Sequence, residues 1–351
     1  MKQKLYYNSK LNSELTNRIF ELIGNAKSYI KTANFFFQDS KLNDALLKAA
    51  ERGVAIFVLS NLKGDEERGN KIDQKIDQKI DSETNPHIPL LHNLYRNGIH
   101  VHLNNDLHAK FLISDGEAGL IMSANYTANS LYGNPENGVD IVGTELKDLE
   151  YLFDVLFMNQ EIVLSEDGNK YRYLSTSKAI ESNIFKDIGK NSNLVFTAKS
   201  YKNNLRNCSY TSIYTTIAEI INSAKQYIVM VSWSYKSVCD LPLIKEAVSN
   251  AIKRGIDIKI LYSDKMSPKN LATTERELSL LVGNGKFQSL CKKFHENHGK
   301  CVLSEHQGVI FSANIDGKNG LLSGFEIGCI LTEEQRDQAN NRINQIFKDG
   351  K

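Results

Sequence analysis

What most constrains this chain is a duplicated stretch of about eighteen residues, because an internal repeat dictates architecture more firmly than local propensity can. The first copy, from His108, reads HAKFLISDGEAGLIMSAN, and the second, from His298, reads HGKCVLSEHQGVIFSAN. The likeness extends upstream. NAKSYIKTANFFF from Asn25 has a counterpart in SAKQYIVMVSWSY from Ser223, and each follows a segment of helical period, RIFELIG or IAEII. Both read as a helix running into a buried strand. Next, ALLKAAERGVAIFVLSN from Ala45 mirrors IKEAVSNAIKRGIDIKILYSD from Ile244. There helically spaced apolar residues stop at Arg-Gly, a helix C-terminal signal, and a further strand follows. This alternation predicts an α/β fold in which parallel strands lie under helices.

The chain's 351 residues suit two units of about 150 each. The repeat places an N-terminal half at 1–165 and a C-terminal half at 211–351, joined by a polar, Asn- and Lys-rich connecting segment at 166–210. Insertions differ between the halves. In the first, KIDQKIDQKID carries Ile72, Ile76 and Ile80 at every fourth position, which predicts a helix of about three turns with either a solvated or a partner-binding role.

With 41% apolar and 24% charged residues the chain has the composition of a globular protein. Forty-three Lys and Arg against 41 Asp and Glu leave +2, so no global field selects a polyanion and any basic site must be local. The longest apolar run, around Tyr227 to Trp233, is far short of the roughly 20 residues that cross a bilayer. The N-terminal MKQKLYYNSK lacks the apolar core of an export signal. The expectation is a cytoplasmic protein without integral membrane association. Cys208, Cys239, Cys291, Cys301 and Cys329 are odd in number and show no CxxC spacing, which points to reduced thiols and away from a zinc knuckle.

From 8 histidines and 43 Lys and Arg, chance alone gives about one histidine followed two positions later by a basic residue, so a single His-x-Lys is weak. Its surroundings are not. Asp115 or Glu305 lies five residues after the lysine, and Ser123-x-Asn125 or Ser312-x-Asn314 follows behind a second apolar run. Alternation along a strand puts His108 with Lys110, and His298 with Lys300, on one face. A second strand returns Ser and Asn to the same rim. Each half thus offers an imidazole, an ammonium, a hydroxyl and an amide, which is not a metal-binding set, and no cofactor is expected.

This pattern resembles the phospholipase D superfamily, whose motif H-x-K-x4-D with a following Ser-x-Asn occurs here twice, so that the resemblance spans nearly the whole chain. It implies two similar halves, each a mostly parallel mixed sheet flanked by helices, related by a pseudo-twofold axis around a single active centre. It also matches Glu136, in SANYTANSLYGNPENGVDI, and Glu326, in LSGFEIGCI, to the family's acid that orients a histidine. Glu305 departs from the family's aspartate, at a position that supports the fold more than the chemistry. Two lysines and the Ser and Asn donors can stabilise the charge that gathers on five-coordinate phosphorus without a metal ion. One histidine can attack phosphorus to give a covalent phosphohistidine while the other protonates the leaving oxygen and then activates water. An unperturbed pKa of about 6.5 suits both roles. The resemblance makes His108 the nucleophile and His298 the acid/base; the residues themselves allow the reverse. The candidate catalytic set is therefore His108, Lys110, Asn125, Glu136, His298, Lys300, Asn314 and Glu326, with Ser123 and Ser312 as further phosphate donors.

The expected reaction is nuclease-type phosphodiester cleavage, with DNA as the partner. GKFQSLCKKFHENHGK, from Gly285, supplies Lys286, Lys292 and Lys293 for a polyanion, with Phe287 and Phe294 able to stack on bases. Phe35 to Phe37 and the Ser232–Tyr235 run end the first strand of each repeat. Most of those rings are expected in the core, with Trp233 and Tyr235 able to line a groove. His100-x-His102 has the spacing of two metal ligands but no third; with His87, His92, His295 and His306 it reads as a bystander. Two other readings are a phospholipase or phosphatidyl transferase, and a catalytically idle nucleic-acid-binding module.

Overall fold

The computed structural model describes residues 4–62, 87–160, 162–164, 171–173, 179–200 and 205–349. The KIDQ repeat lies outside them. The first half runs β1 (Leu5–Ser9), β2 (Asn12–Ser13), α1 (Glu14–Asn25), β3 (Tyr29–Asn34), α2 (Ser40–Glu51), β4 (Ala55–Ser60), α3 (His87–Arg96), β5 (His100–Leu103), β6 (Phe111–Ser114) and β7 (Ala118–Met122). It continues with α4 (Ala128–Tyr132), β8 (Glu136–Ile141), α5 (Gly143–Met158), β9 (Ile162–Leu164), β10 (Tyr171–Tyr173) and α6 (Ser182–Asn191). There follow β11 (Leu194–Lys199), β12 (Ser209–Thr211), α7 (Ser212–Ser223), β13 (Tyr227–Val231), α8 (Pro242–Lys253), β14 (Asp257–Ser263), α9 (Pro268–Val282) and α10 (Phe287–Leu290). The chain closes with β15 (Cys291–Phe294), β16 (Cys301–Ser304), β17 (Gly308–Phe311), β18 (Gly324–Ile330) and α11 (Glu333–Asp349).

These strands make two sheets of one topology. The first has the order β10-β9-β5-β4-β3-β6-β7-β8-β1-β2, and the second, read in the same sense, β15-β14-β13-β16-β17-β18-β11-β12. The duplication read from the sequence is thus a duplication of the sheet, with β9 and β10 added to the first copy. Part of the segment read as a connection belongs to the second sheet: β11 pairs with β18 and β12 with β11, as β1 pairs with β8 and β2 with β1. Propensity could not show this, because the partner of β11 lies more than a hundred residues downstream.

Both sheets are mixed. Parallel pairing is confined to β3, β4 and β5 and to β13, β14 and β15, where helices such as α2 and α8 supply the long crossovers that parallel neighbours need. The remaining ladders, β6-β7-β8 and β16-β17-β18 among them, are antiparallel, with tight turns joining β6 to β7 and β16 to β17. Alternation sorts the side chains. Phe111 and Ile113 of β6 enter a central core between the two sheets, while Leu112 joins the outer helices; Cys301 and Leu303 of β16 likewise face the centre and Val302 faces outward. The central core takes side chains from both halves and from α5, α6 and α11, including Leu152, Leu156, Phe185 and Ile343. It presses the sheets together where β7 and β8 meet β17 and β18.

The acid five residues after each lysine is used here. Asp115 opens the β6–β7 turn with φ 55°, beside Gly116 at 65°, and accepts the backbone N–H groups of Lys27, Ser28 and Tyr29 at 2.8–2.9 Å. Glu305 does the same for Lys225 and Tyr227. Each carboxylate therefore ties a hairpin to the start of the neighbouring parallel strand, and the extra methylene of Glu305 is accommodated.

Candidate active site

His108 and Lys110 stand just before β6, and His298 and Lys300 just before β16. Both motif loops lean on the opposite half. The N–H groups of His108 and Ala109 donate to the Phe325 carbonyl at 2.9 Å, and Phe325 N–H returns to Asp106 at 2.7 Å. In the mirror contact His298 N–H donates to the Pro135 carbonyl at 2.9 Å. The Asn137 side chain brackets Lys300, with Nδ2 donating to its carbonyl at 3.2 Å and Oδ1 accepting its N–H at 3.4 Å. The β8 and β18 ends that carry the two glutamates are thereby pulled across the interface.

Each carboxylate consequently meets the histidine of the other half. His108 Nδ1 lies 2.7 Å from Glu326 Oε1, and His298 Nδ1 lies 2.8 Å from Glu136 Oε1. A carboxylate only accepts, so in each pair Nδ1 carries the proton and Nε2 presents its lone pair. The histidine side chains remain 25% and 18% exposed, against 1% and 0% for their acids, so a ligand reaches the imidazoles and not the carboxylates. The second oxygen of each acid is held by a serine of its own half: Ser123 Oγ donates to Glu136 Oε2, and Ser312 Oγ to Glu326 Oε2 at 2.5 Å. Those hydroxyls also accept the N–H of Asn137 and Ile327 and are wholly buried. Ser123 and Ser312, expected to touch phosphate, instead fix the carboxylates.

The electrostatics follow. Burial pushes both imidazoles below their ordinary value, with Lys110 and Lys300 adding to it and the glutamates opposing it. Burial raises the two glutamates, but their histidines, the lysines and the serine donors outweigh it and hold both below the usual carboxylate range. The resting state is a neutral imidazole on an ionised acid, twice. Lys110 Nζ donates to the His108 carbonyl at 2.6 Å and Lys300 Nζ to the His298 carbonyl at 2.7 Å. Both ammoniums are buried, and burial lowers Lys300 to about 8. The field of Lys300 reaches His108, and that of Lys110 reaches His298, so the four groups share one locale. Asn125 Oδ1 and Asn314 Oδ1 are buried with no hydrogen-bond partner among the described residues.

Some groups were not foreseen. Phe35, read as a core ring, instead lies edge-on to His108 at 4.7 Å; its counterpart Trp233 stands 6.5 Å from His298. Tyr235 is the reverse, fully buried with its hydroxyl on the Leu261 carbonyl at 3.3 Å, and lines no groove. Asp316, 5% exposed, accepts from Ser234 Oγ at 2.8 Å, is pushed by burial up to about 6, and feels Lys300. Its first-half counterpart is Thr127, so the duplication itself is the signal that could have singled it out. The three lysines of the basic segment stand in different settings. Lys286 is exposed, Lys292 is half-buried, and Lys293 is paired with Glu275 at 2.8 Å. Phe287 packs on the outer core of the second half and Phe294 on the central core, each partly exposed. His100 and His102 stack on Phe57 and Phe157, and His87 accepts from Phe37 N–H.

A family model described as "Cardiolipin synthase, PLD-like domain" matches residues 19–156 and again 217–349. No curated protein matches in sequence. Among solved structures, phosphatidylserine synthase of Haemophilus influenzae Rd KW20 is similar over 97% of this chain and 86% of its own, with TM-score 0.67 and 12% identity. Polyphosphate kinase of Porphyromonas gingivalis is similar over 99% of this chain and 50% of its own, with TM-score 0.58 and 14% identity. Nuc of Salmonella typhimurium, a phospholipase D family member, covers 45% of this chain and 95% of its own at 19% identity and TM-score 0.37. With one match in each half and the two His-x-Lys loops docked across a shared core, the chain belongs to the phospholipase D superfamily and carries two of its PLD-like domains.

Proposed function

We propose that this protein is a phosphodiesterase that cleaves DNA through a covalent phosphohistidine. The observation that carries the reading is the crossed pairing of Glu136 with His298 and Glu326 with His108, which makes two half-sites into one centre. A phosphodiester placed between the imidazoles meets Lys110 and Lys300, whose positive charges offset the negative charge that gathers on the nonbridging oxygens as phosphorus becomes five-coordinate. The lysines supply that positive charge, so no step requires a metal ion. Nε2 of His108 forms the bond to phosphorus as the bond to the leaving oxygen breaks. His298, protonated once the bound diester adds its negative charge, gives that oxygen its proton. It then takes a proton from water, which attacks the phosphohistidine and frees His108. Asn125 and Asn314 are candidate hydrogen-bond partners for the substrate.

DNA is preferred because lysines cluster in the chain just before His298, with Lys286 exposed and Lys292 half-buried. Lys265 and Lys10 converge on Glu296 at 2.9 and 3.3 Å, and His295 meets Asp264 at 2.9 Å. Incubation with labelled single- and double-stranded DNA in EDTA should give cleavage, and acid quenching should avoided in favour of alkaline denaturation to trap an acid-labile adduct on His108. Absence of both cleavage and adduct rejects the reading. A phospholipase or phosphatidyl transferase is favoured by one feature: Leu11, 99% exposed at the β1–β2 turn, follows the Lys10 that reaches Glu296. Vesicle flotation together with turnover of phospholipid in place of DNA would select it.

A further inference from the structure

Trp233 lies just past β13 in the second sheet, as Phe35 lies just past β3 in the first, and each ring lies edge-on to a histidine. Their surroundings differ. Trp233 is partly exposed yet fixed: Nε1 donates to the Lys265 carbonyl at 3.1 Å, and its own carbonyl accepts Ser263 N–H at 3.1 Å. The Lys236 ammonium stands 5.8 Å from the ring centroid. Lys265 in turn holds Glu296, which Lys10 of the first half also reaches. The result is a rigid aromatic plate, bordered by charge, beside one of the two reacting imidazoles.

We propose that Trp233 is a specificity-determining platform on which the nucleobase next to the scissile phosphate stacks, so that the site selects single-stranded nucleic acid. The inference rests on the nuclease reading and adds the form of the substrate. A base offers its face to an indole only when it is not already stacked and paired in a duplex. Because the ring is already held, little side-chain freedom is lost on binding. Lys236 is placed for the phosphate that flanks the stacked base. A lipid headgroup of glycerol or serine has no π face, and acyl chains leaving His298 on this side would meet Lys236, Lys265 and Glu296.

The chain contains one tryptophan, so fluorescence reports on this ring directly. His108→Ala protein is titrated with an oligothymidylate, with an abasic strand of equal length, and with phosphatidylglycerol vesicles. Saturable quenching by the oligothymidylate and not by the abasic strand is the expected result. In cleavage assays Trp233→Ala should raise KM for single strands about 10- to 100-fold with little change in kcat, and Trp233→Phe should recover most of the loss. Equal quenching by both strands, a response to vesicles alone, or an unchanged KM overturns the platform. Cleavage of single strands by the wild type without quenching removes the platform and leaves the nuclease reading standing. Failure to cleave any nucleic acid removes that reading, and the inference with it.

Discussion

Glu136 and His298 lie on different halves and yet form one pair at 2.8 Å, because a buried carboxylate is tolerable only with its partners in place. Glu136→Gln should lower kcat by about 100-fold or more, and the double variant with His298→Ala should be no slower than His298→Ala alone, since both remove the same function. Steady-state kinetics with circular dichroism as a folding control checks this. Lys300 sets the alkaline limit. Burial lowers it to about 8, so it is charged below that pH and neutral above it, and kcat/KM should fall as pH rises through 8. In Lys300→Arg the side chain stays charged, so whatever activity survives should lack that limb in the pH–rate profile. On the acid side both imidazoles lie below their ordinary value through burial, so the neutral nucleophile persists below pH 6.5.

At the scale of elements, the hairpins after each motif are held by a single carboxylate. Asp115→Ala removes three hydrogen bonds to the chain entering β3. It should destabilise the protein by about 1–3 kcal/mol in urea titration while leaving the chemistry intact where folded. Asp115→Glu should be milder, because Glu305 fills the equivalent place in the second hairpin. The β8 and β18 strands carry a different burden. Each presents a glutamate to the far half and a backbone ladder to its own sheet, which is why Asn137, directly after Glu136, can bracket Lys300.

At the scale of the molecule, one central core serves both sheets, so neither half is expected to unfold alone. Leu156→Ala, on α5 within that core, should cost about 2–5 kcal/mol. Calorimetry should show one transition moved to lower temperature, not two, and activity should be lost in the same interval. Two separated transitions would show that the halves are independent bodies.

The amino-acid order by itself determined the duplication, the α/β character and the local sets His108-x-Lys110 and His298-x-Lys300. Each of these is written in spacing over a few residues: period two for strands, Arg-Gly for helix ends, a pair two apart for a shared face. It could not determine that Glu136 would serve His298 and Glu326 His108, that Ser123 and Ser312 would hold carboxylates, or that β11 would extend the second sheet. Nor could it tell that Phe35 and Trp233 would flank the site while Tyr235 is buried. The crossed pairs depend on which face of one half is pressed against which face of the other, a choice made by the shared apolar core over separations of more than a hundred residues, where periodicity carries no information. The serine contacts lie within one half and depend on how neighbouring strands align residues 13 and 14 positions apart.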